Sequence, residues 1–247
     1  MQMRKLEDIV GKPIFQKNGR LVCLTTAGEA LIPYARRIIH LLDRALDQVA
    51  GERFDEEISF GVAEDYVTAL LPLILRVFAE NRPNTAVNVK TGSSLQLYEM
   101  TQSEEIELAL VTRRAIWKDV EVVRRERLVW TGAICTLPRD KTPIPVAMFR
   151  EGCIRRDLIM DALVHNRDSF RIVCTSESLS GLIAAARTGV GFAPMARCCV
   201  PDDLHIFSGV DGLPELPMIE LGLVKRPNAT VSLDMLASCI MTAIAAQ

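Results

Sequence analysis

Residues 57–78, EISFGVAEDYVTALLPLILRVF, contain the change of period on which the fold turns. Ile58, Phe60 and Val62 alternate with small or polar residues, the period of two expected of a strand. Beyond Glu64 and Asp65 the spacing lengthens. Leu70, Leu73, Ile74, Val77 and Phe78 stand at i, i+3, i+4, i+7 and i+8, which is one face of a helix. Pro72 suits that helix if it falls in the first turn, where an amide N–H has no partner to lose.

The same unit recurs downstream. Val87 and Val89 mark a second strand, and Ser93 with Gln96 fits a capping box before a helix running to about Gln102. Leu108-Ala109-Leu110-Val111 is an unbroken apolar run, as in a buried parallel strand. A second unit starts near Ala133, with a strand at Ile144–Phe149, a helix at Ile154–Val164 and a strand at Ile172-Val173-Cys174. Ser178 opens a helix with Leu179, Leu182, Ile183 and Ala186 on one face, closed by Arg187 and Gly189. Phe192–Met195 reads as a strand. A last strand, Leu221-Gly222-Leu223-Val224, leads to a helix with Leu233, Leu236, Ile240 and Ile244 inward. Two strand-helix units in series predict an α/β fold with parallel sheets and right-handed crossovers.

Upstream the pattern differs. After the end of a helix and Gly11, residues 14–17 and 20–24 flank Asn18-Gly19, the favoured centre of a type I′ hairpin. Lys17 and Arg20 would then project from the hairpin tip. Thr26 with Glu29 fits a capping box, and Leu31, Ala35, Ile38, Leu42, Ala45 and Val49 recur as a heptad seam that wants a partner helix. The polar stretch from Gly51 to Glu57 predicts a hinge.

Bulk composition narrows the function classes. The chain has 247 residues, with 49% hydrophobic and 24% charged, which suits one large or two small cores. No run of about 18 apolar residues occurs, and the N-terminus lacks the apolar core of a signal peptide, so a cytoplasmic protein with no membrane partner is expected. Net charge is −2, yet residues 1–40 hold seven basic against three acidic side chains, a positive head that fits nucleic-acid contact. Seven cysteines (Cys23, Cys135, Cys153, Cys174, Cys198, Cys199, Cys239) form no CxxC pair and read as small apolar residues, with adjacent Cys198 and Cys199 weighed as a redox pair. The histidines His40, His165 and His205 show no metal-ligand spacing. Gly189-x-Gly191 lacks the third glycine of a dinucleotide site, so no cofactor is expected. No nucleophile-base set is readable, so the chain is not expected to be an enzyme.

The first fifty residues resemble the LysR-type transcriptional regulators. Leu6-Glu7, Gly11, Ile14-Phe15, Lys17, Arg20, Leu24-Thr25, Ala27-Gly28 and Tyr34-Ala35 carry the likeness. GVAEDYVTALLP (61–72), TGSSLQLYEM (91–100), IELALVTR (106–113) and ARTGVGFAPM (186–195) continue it along the chain. The segment SGVDGLPELP (208–217) looks like the branch regulating motility and virulence. The resemblance implies a residual winged helix-turn-helix over 1–26, a linker and dimerisation helix over 27–52, and a two-lobed effector-binding domain like a periplasmic binding protein over 57–247. Lobe I would be 57–129 and 220–247 and lobe II 132–216, with crossings near Val129–Gly132 and Leu216–Glu220. Family members begin earlier, so residues 2–6 are expected to be only the tail of a recognition helix and the upstream DNA to continue in frame. Arg4, Lys5, Lys17, Arg20 and Thr25 would hold phosphates, which position a protein but do not specify sequence. Lys17 stands where the family has an arginine and loses bidentate geometry. A homodimer or tetramer through residues 27–50 is implied.

In open parallel sheets ligands bind beyond the carboxyl ends of strands, where helix N-termini present free N–H groups. The candidate effector contacts are therefore Asp65 and Tyr66 after the first strand, Thr91, Ser93 and Ser94 after the second, and Thr112 after the third. Thr175, Ser176 and Ser178 play the same part in the second unit. Asp65 argues against an anionic effector unless a cation intervenes. Two other readings fit the sequence: a truncated dimerisation partner modulating full-length relatives, and a solute-binding protein of the same fold.

Overall fold

Glu7 ties together the head of the chain. The structure, a computed structural model, describes residues 2–18, 21–32, 34–35, 38, 42, 56–81, 83, 85–134, 143–165, 169–207, 212–227 and 231–245. Helix α1 (Gln2–Val10) ends at Gly11, whose φ of 70° suits a residue without a Cβ. Glu7 Oε1 accepts the amides of Ile14 at 2.8 Å and Phe15 at 3.3 Å, so the chain re-enters as strand β1 (Phe15–Asn18). β1 pairs antiparallel with β2 (Leu21–Leu24).

The hairpin register corrects the expected turn. Lys17 faces Val22 and Asn18 faces Leu21, so Asn18 belongs to the strand and not to the turn, while Gly19 and Arg20 lie outside the described residues. The pairing is set from the open end, where the Thr25 amide donates to Ile14 O at 2.9 Å and Gln16 Nε2 to Leu24 O at 3.1 Å. The loop takes what remains. The helix cap is likewise Thr25 and not Thr26, because Thr25 Oγ1 accepts the Gly28 amide at 3.1 Å. A Cβ on Gly28 would lie 2.3 Å from Ile14 O, so glycine lets this helix meet the hairpin. Residues 26–32 are helical. Of the heptad positions, Ile38 and Leu42 are exposed, while Ala45 and Val49 lie outside the described residues, as do 51–55 of the expected hinge.

In the body, β3 (Glu56–Ala63) runs parallel to β4 (Thr85–Gly92) and β5 (Leu108–Thr112). β11 (Met218–Lys225) pairs antiparallel with β5 and with β6 (Glu121–Gly132). β6 changes partners along its length. Its first part, up to Arg127, faces β11; from Leu128 it faces β9 (Ala193–Ala196) and, from Trp130, β10 (His205–Phe207). β7 (Ile144–Phe149) lies parallel to β8 (Phe170–Ser176). The sheets are thus mixed, against the expectation of parallel pairing throughout. The chain leaves one half along β6 and returns along β11 beside it, and neighbours traversed in opposite directions pair antiparallel.

Helices α2 (Val67–Asn81), α3 (Ser94–Gln102) and α6 (Val231–Ala245) belong to the half holding β3, β4 and β5. Helices α4 (Ile154–His165) and α5 (Leu179–Arg187) cover the half with β7 and β8. Leu70, Ile74 and Phe78 of α2 are buried, and Phe78 meets Phe60 of β3 edge to face at 5.7 Å. Pro72 sits in the second turn of α2, not the first as anticipated. It is tolerated there because the carbonyl it leaves without a donor belongs to exposed Thr68, within reach of water. Where β6 changes partners, buried Trp130 donates through Nε1 to Pro214 O at 2.8 Å. Among the described residues no helix is long and apolar enough to cross a membrane.

Candidate functional site

The carboxyl end of β3 feeds straight into a 3-10 turn, Glu64–Tyr66, so three polar side chains emerge at one point of the sheet edge. Tyr66 turns inward and is fully buried, with its hydroxyl 2.6 Å from Thr112 Oγ1 at the end of β5. Burial raises the Tyr66 phenol well above its ordinary pKa, so it stays protonated. The Thr112 amide donates to Ser94 Oγ at 3.0 Å, and Ser93 Oγ caps α3 by accepting the Gln96 amide at 3.2 Å. Thr91 and Ser93 are exposed. Six of the nine candidate contacts thus gather at one edge, and the hydroxyls of Tyr66 and Thr112 are taken up by each other.

The other three gather in the second half. Ser176 Oγ donates to Ser178 O at 2.9 Å and accepts the Ser178 amide at 3.1 Å. Ser178 Oγ accepts the Gly181 amide at 3.3 Å, the N-terminal cap of α5. A Cβ on Gly181 would lie 2.2 Å from Ser176 Oγ, so glycine is what allows β8 to turn so tightly into α5. Thr175 is exposed beside them.

Two acids connect the clusters. The Glu64 carboxylate accepts the backbone N–H of Leu179, the first residue of α5. Asp65 Oδ2 pairs with Arg155 Nη2 from the first turn of α4. Arg155 is only 2% exposed, and its guanidinium carbon sits 4.4 Å from the Phe149 ring centre and 5.9 Å from that of Tyr66. Burial pushes the Arg155 pKa down to about 10, against the opposing pull of Cys199, Glu64 and Cys198, so it keeps its charge at neutral pH. Burial also raises the Glu64 carboxyl, partly offset by Arg155. Asp65 Oδ1 and Arg155 Nη1 are buried without a hydrogen-bond partner. Cys198 and Cys199, with sulfurs 3.6 Å apart, follow β9 next to this group.

Arg155 is the cation that Asp65 required, and reading the sequence did not single it out. A signal existed, because Arg155, Ile159 and Leu163 recur every four residues and all three are buried. An arginine on the apolar stripe of a helix marks a buried ion pair or a ligand. Glu64 carries no sequence pattern beyond its position next to Asp65.

At the other end of the chain, Arg4, Lys5 and Lys17 are exposed. The Thr25 hydroxyl donates to Pro13 O at 2.7 Å besides capping the helix, so it is committed internally. Arg20 lies outside the described residues. Among the described residues no group of three or more histidine, cysteine or acidic side chains is placed to hold a metal ion.

Comparison with known proteins bears on what this arrangement is for. Residues 51–237 match the family described as LysR substrate binding domain. The HTH-type transcriptional regulator DgdR of Burkholderia cepacia is 36% identical over 230 residues, spanning 92% of this chain and 78% of that protein. The crystal structure of CbnR, a LysR family transcriptional regulator, is similar with a TM-score of 0.66 at 16% identity, over 98% of this chain and 87% of that one. A structure of full-length CbnR with its target DNA gives a TM-score of 0.66 at 17% identity, over 98% and 88%.

Proposed function

Because the chain belongs to the LysR family of transcriptional regulators, whose members are not enzymes, we propose that its body senses a small molecule between two lobes while its head touches DNA. Lobe I in this reading holds β3, β4, β5, β11 and the first part of β6, with α2, α3 and α6; lobe II holds the rest of β6, β7 to β10, α4 and α5. The crossings are β6 where it changes partners and the approach to β11.

One observation carries the reading: Glu64 and Asp65, at the carboxyl end of a parallel strand, reach across to the N-terminal turns of two helices of the other lobe. Strand ends and helix N-termini facing each other form a site that grips a polar ligand with backbone N–H groups from one side and side chains from the other. Asp65, Ser93, Ser94, Thr175, Ser176 and Ser178 surround it. A ligand that binds one lobe arrangement better shifts the population toward it, and the DNA-binding geometry of an oligomer follows. Exposed Ile38 and Leu42 on the linker helix supply the apolar seam for such an oligomer. Arg4, Lys5 and Lys17 supply phosphate contacts, which set register on the duplex but no sequence preference.

A thermal-shift screen of the whole chain against small metabolites tests the sensing half. A ligand at about 100 times its Kd stabilises by about 2.7 kcal/mol, which raises Tm by roughly 5–10 °C for a unit of this size. Binding that is unchanged by both Ser178→Ala and Asp65→Asn would put the site elsewhere. For the head, replacing Arg4 and Lys5 together by alanine is expected to reduce the slope of log K against log salt by about 0.9 for each phosphate no longer neutralised.

A further inference from the structure

The ion pair across the lobes is half made. Of the two Asp65 oxygens and the two terminal Arg155 nitrogens, Oδ2 and Nη2 meet, whereas Oδ1 and Nη1 are buried with no hydrogen-bond partner. Arg155 is 2% exposed and both Oδ1 and Nη1 are sealed from solvent, so a ligand reaches them only as the two halves part. A buried charged group with an open bonding position is a receptor for the complementary group.

The signs around the pair select the ligand. Glu64 and Asp65 contribute two carboxylates and Arg155 one guanidinium. A plain carboxylate would meet Nη1 but would sit beside two acids and leave Oδ1 open. A plain amine would meet Oδ1 but would face the guanidinium and leave Nη1 open. A molecule bearing both charges a few bonds apart closes both positions with doubly charged hydrogen bonds and buries no unpaired charge, where a neutral hydroxyl or amide closes them more weakly.

Resting on the lobed-sensor reading above, we infer that the site takes a small zwitterion, ammonium on Asp65 Oδ1 and carboxylate on Arg155 Nη1, the class to which free amino acids belong. The Phe149 and Tyr66 rings lie 4.4 and 5.9 Å from the guanidinium carbon and narrow the directions from which a ligand can approach it. The remainder of the ligand faces Ser176 and Ser178 on one side and Ser93 and Ser94 on the other.

The test is calorimetric titration and thermal shift on the whole chain with the twenty common amino acids in both L and D forms. Each is paired with two analogues, the amine lacking the carboxylate and the acid lacking the ammonium, and a set of neutral and anionic metabolites runs alongside. At least one amino acid is expected to bind, with both of its analogues about ten- to a hundredfold weaker, the range for losing one hydrogen bond to a charged group. Asp65→Asn is expected to weaken the amino acid and to narrow its margin over the deaminated acid. That ratio can be read even if the variant is less stable. An analogue binding as tightly as its parent overturns the inference. Hits drawn only from the non-zwitterionic metabolites overturn it while leaving the sensor reading intact, and silence from every compound overturns both.

Discussion

Tyr66 and Thr112 offer a test of which candidate contacts face inward. Their oxygens lie 2.6 Å apart, with Tyr66 0% and Thr112 3% exposed. Tyr66→Phe removes one oxygen and leaves the Thr112 hydroxyl without that partner where water does not enter, which costs about 1–3 kcal/mol. Thr112→Val strands the tyrosine hydroxyl in the same way. The Thr112 amide still reaches Ser94 Oγ in that variant, so the cost isolates the side chain. At about 2–4 °C per kcal/mol for this size, each single change lowers Tm by roughly 2–12 °C. The double variant replaces both hydroxyl partners by apolar groups of similar shape, which is close to neutral relative to the parent. A coupling of at least about 2 kcal/mol is therefore expected, with the double variant more stable than either single one. Urea unfolding reports it through Trp117 and Trp130, both buried. Additive losses, or a Tyr66→Phe protein of unchanged stability that binds ligand more weakly, would refute the assignment, because the hydroxyl would then face the ligand.

Three further outcomes are expected. Burial raises the Glu64 carboxyl above its unfolded value, so its contribution to stability is present below the unfolded pKa and is lost as pH rises through the folded one. Glu64→Gln should then gain stability relative to the parent as pH rises above the ordinary carboxyl value of 4.5, and melts in which the difference is flat as pH rises would contradict the cause given. Thr25→Ala removes the cap on the linker helix and is expected to cost about 1 kcal/mol, seen as faster amide exchange at Ala27 and Gly28; unchanged exchange would show that the cap matters little. The Cys198 and Cys199 sulfurs share a contact in which either can donate; with Cys199 as donor the Cys198 pKa is lowered, while that bond and burial raise Cys199. Pulsed alkylation with mass spectrometry should therefore modify Cys198 first, and the reverse order would mean the donor has been assigned backwards.

Where backbone rules govern, much of the body was legible, although the long β6 and the short β10 were not named. Period two followed by period 3.6 placed β3 and α2, and Ser93 and Ser178 were named as caps because an oxygen at that spot satisfies an amide with no helical partner. Local rules failed where distant contacts decide. Asn18 joins the strand because Thr25 pins the open end of the hairpin, and β11 runs antiparallel because the chain returns beside β6. Neither effect has a local pattern. The site was half legible for the same reason. Strand ends pointed to Asp65, but its partner comes from a helix ninety residues further on, and only the stripe shared with Ile159 and Leu163 hinted that Arg155 points inward.

That pairing bears on how a ligand could act. Removing one partner of a buried ion pair costs about 3–5 kcal/mol because the other charge is left exposed to a poor solvent. A ligand that took Arg155 away from Asp65 without compensating the aspartate would meet that cost and bind weakly. One that satisfies both can rearrange the pair while keeping every charge matched, so the lobes move at little electrostatic expense. The Glu64 contact to the α5 N-terminus crosses between the same two halves, so it must give way together with the Asp65 pair in such a change. The effector's leverage over DNA then equals its differential affinity for the two arrangements, about 1–3 kcal/mol in typical couplings. Because linkage is reciprocal, duplex DNA bound by the head should shift effector affinity by the same factor. Equal effector affinity with and without bound DNA would show that the lobe contact does not communicate with the head.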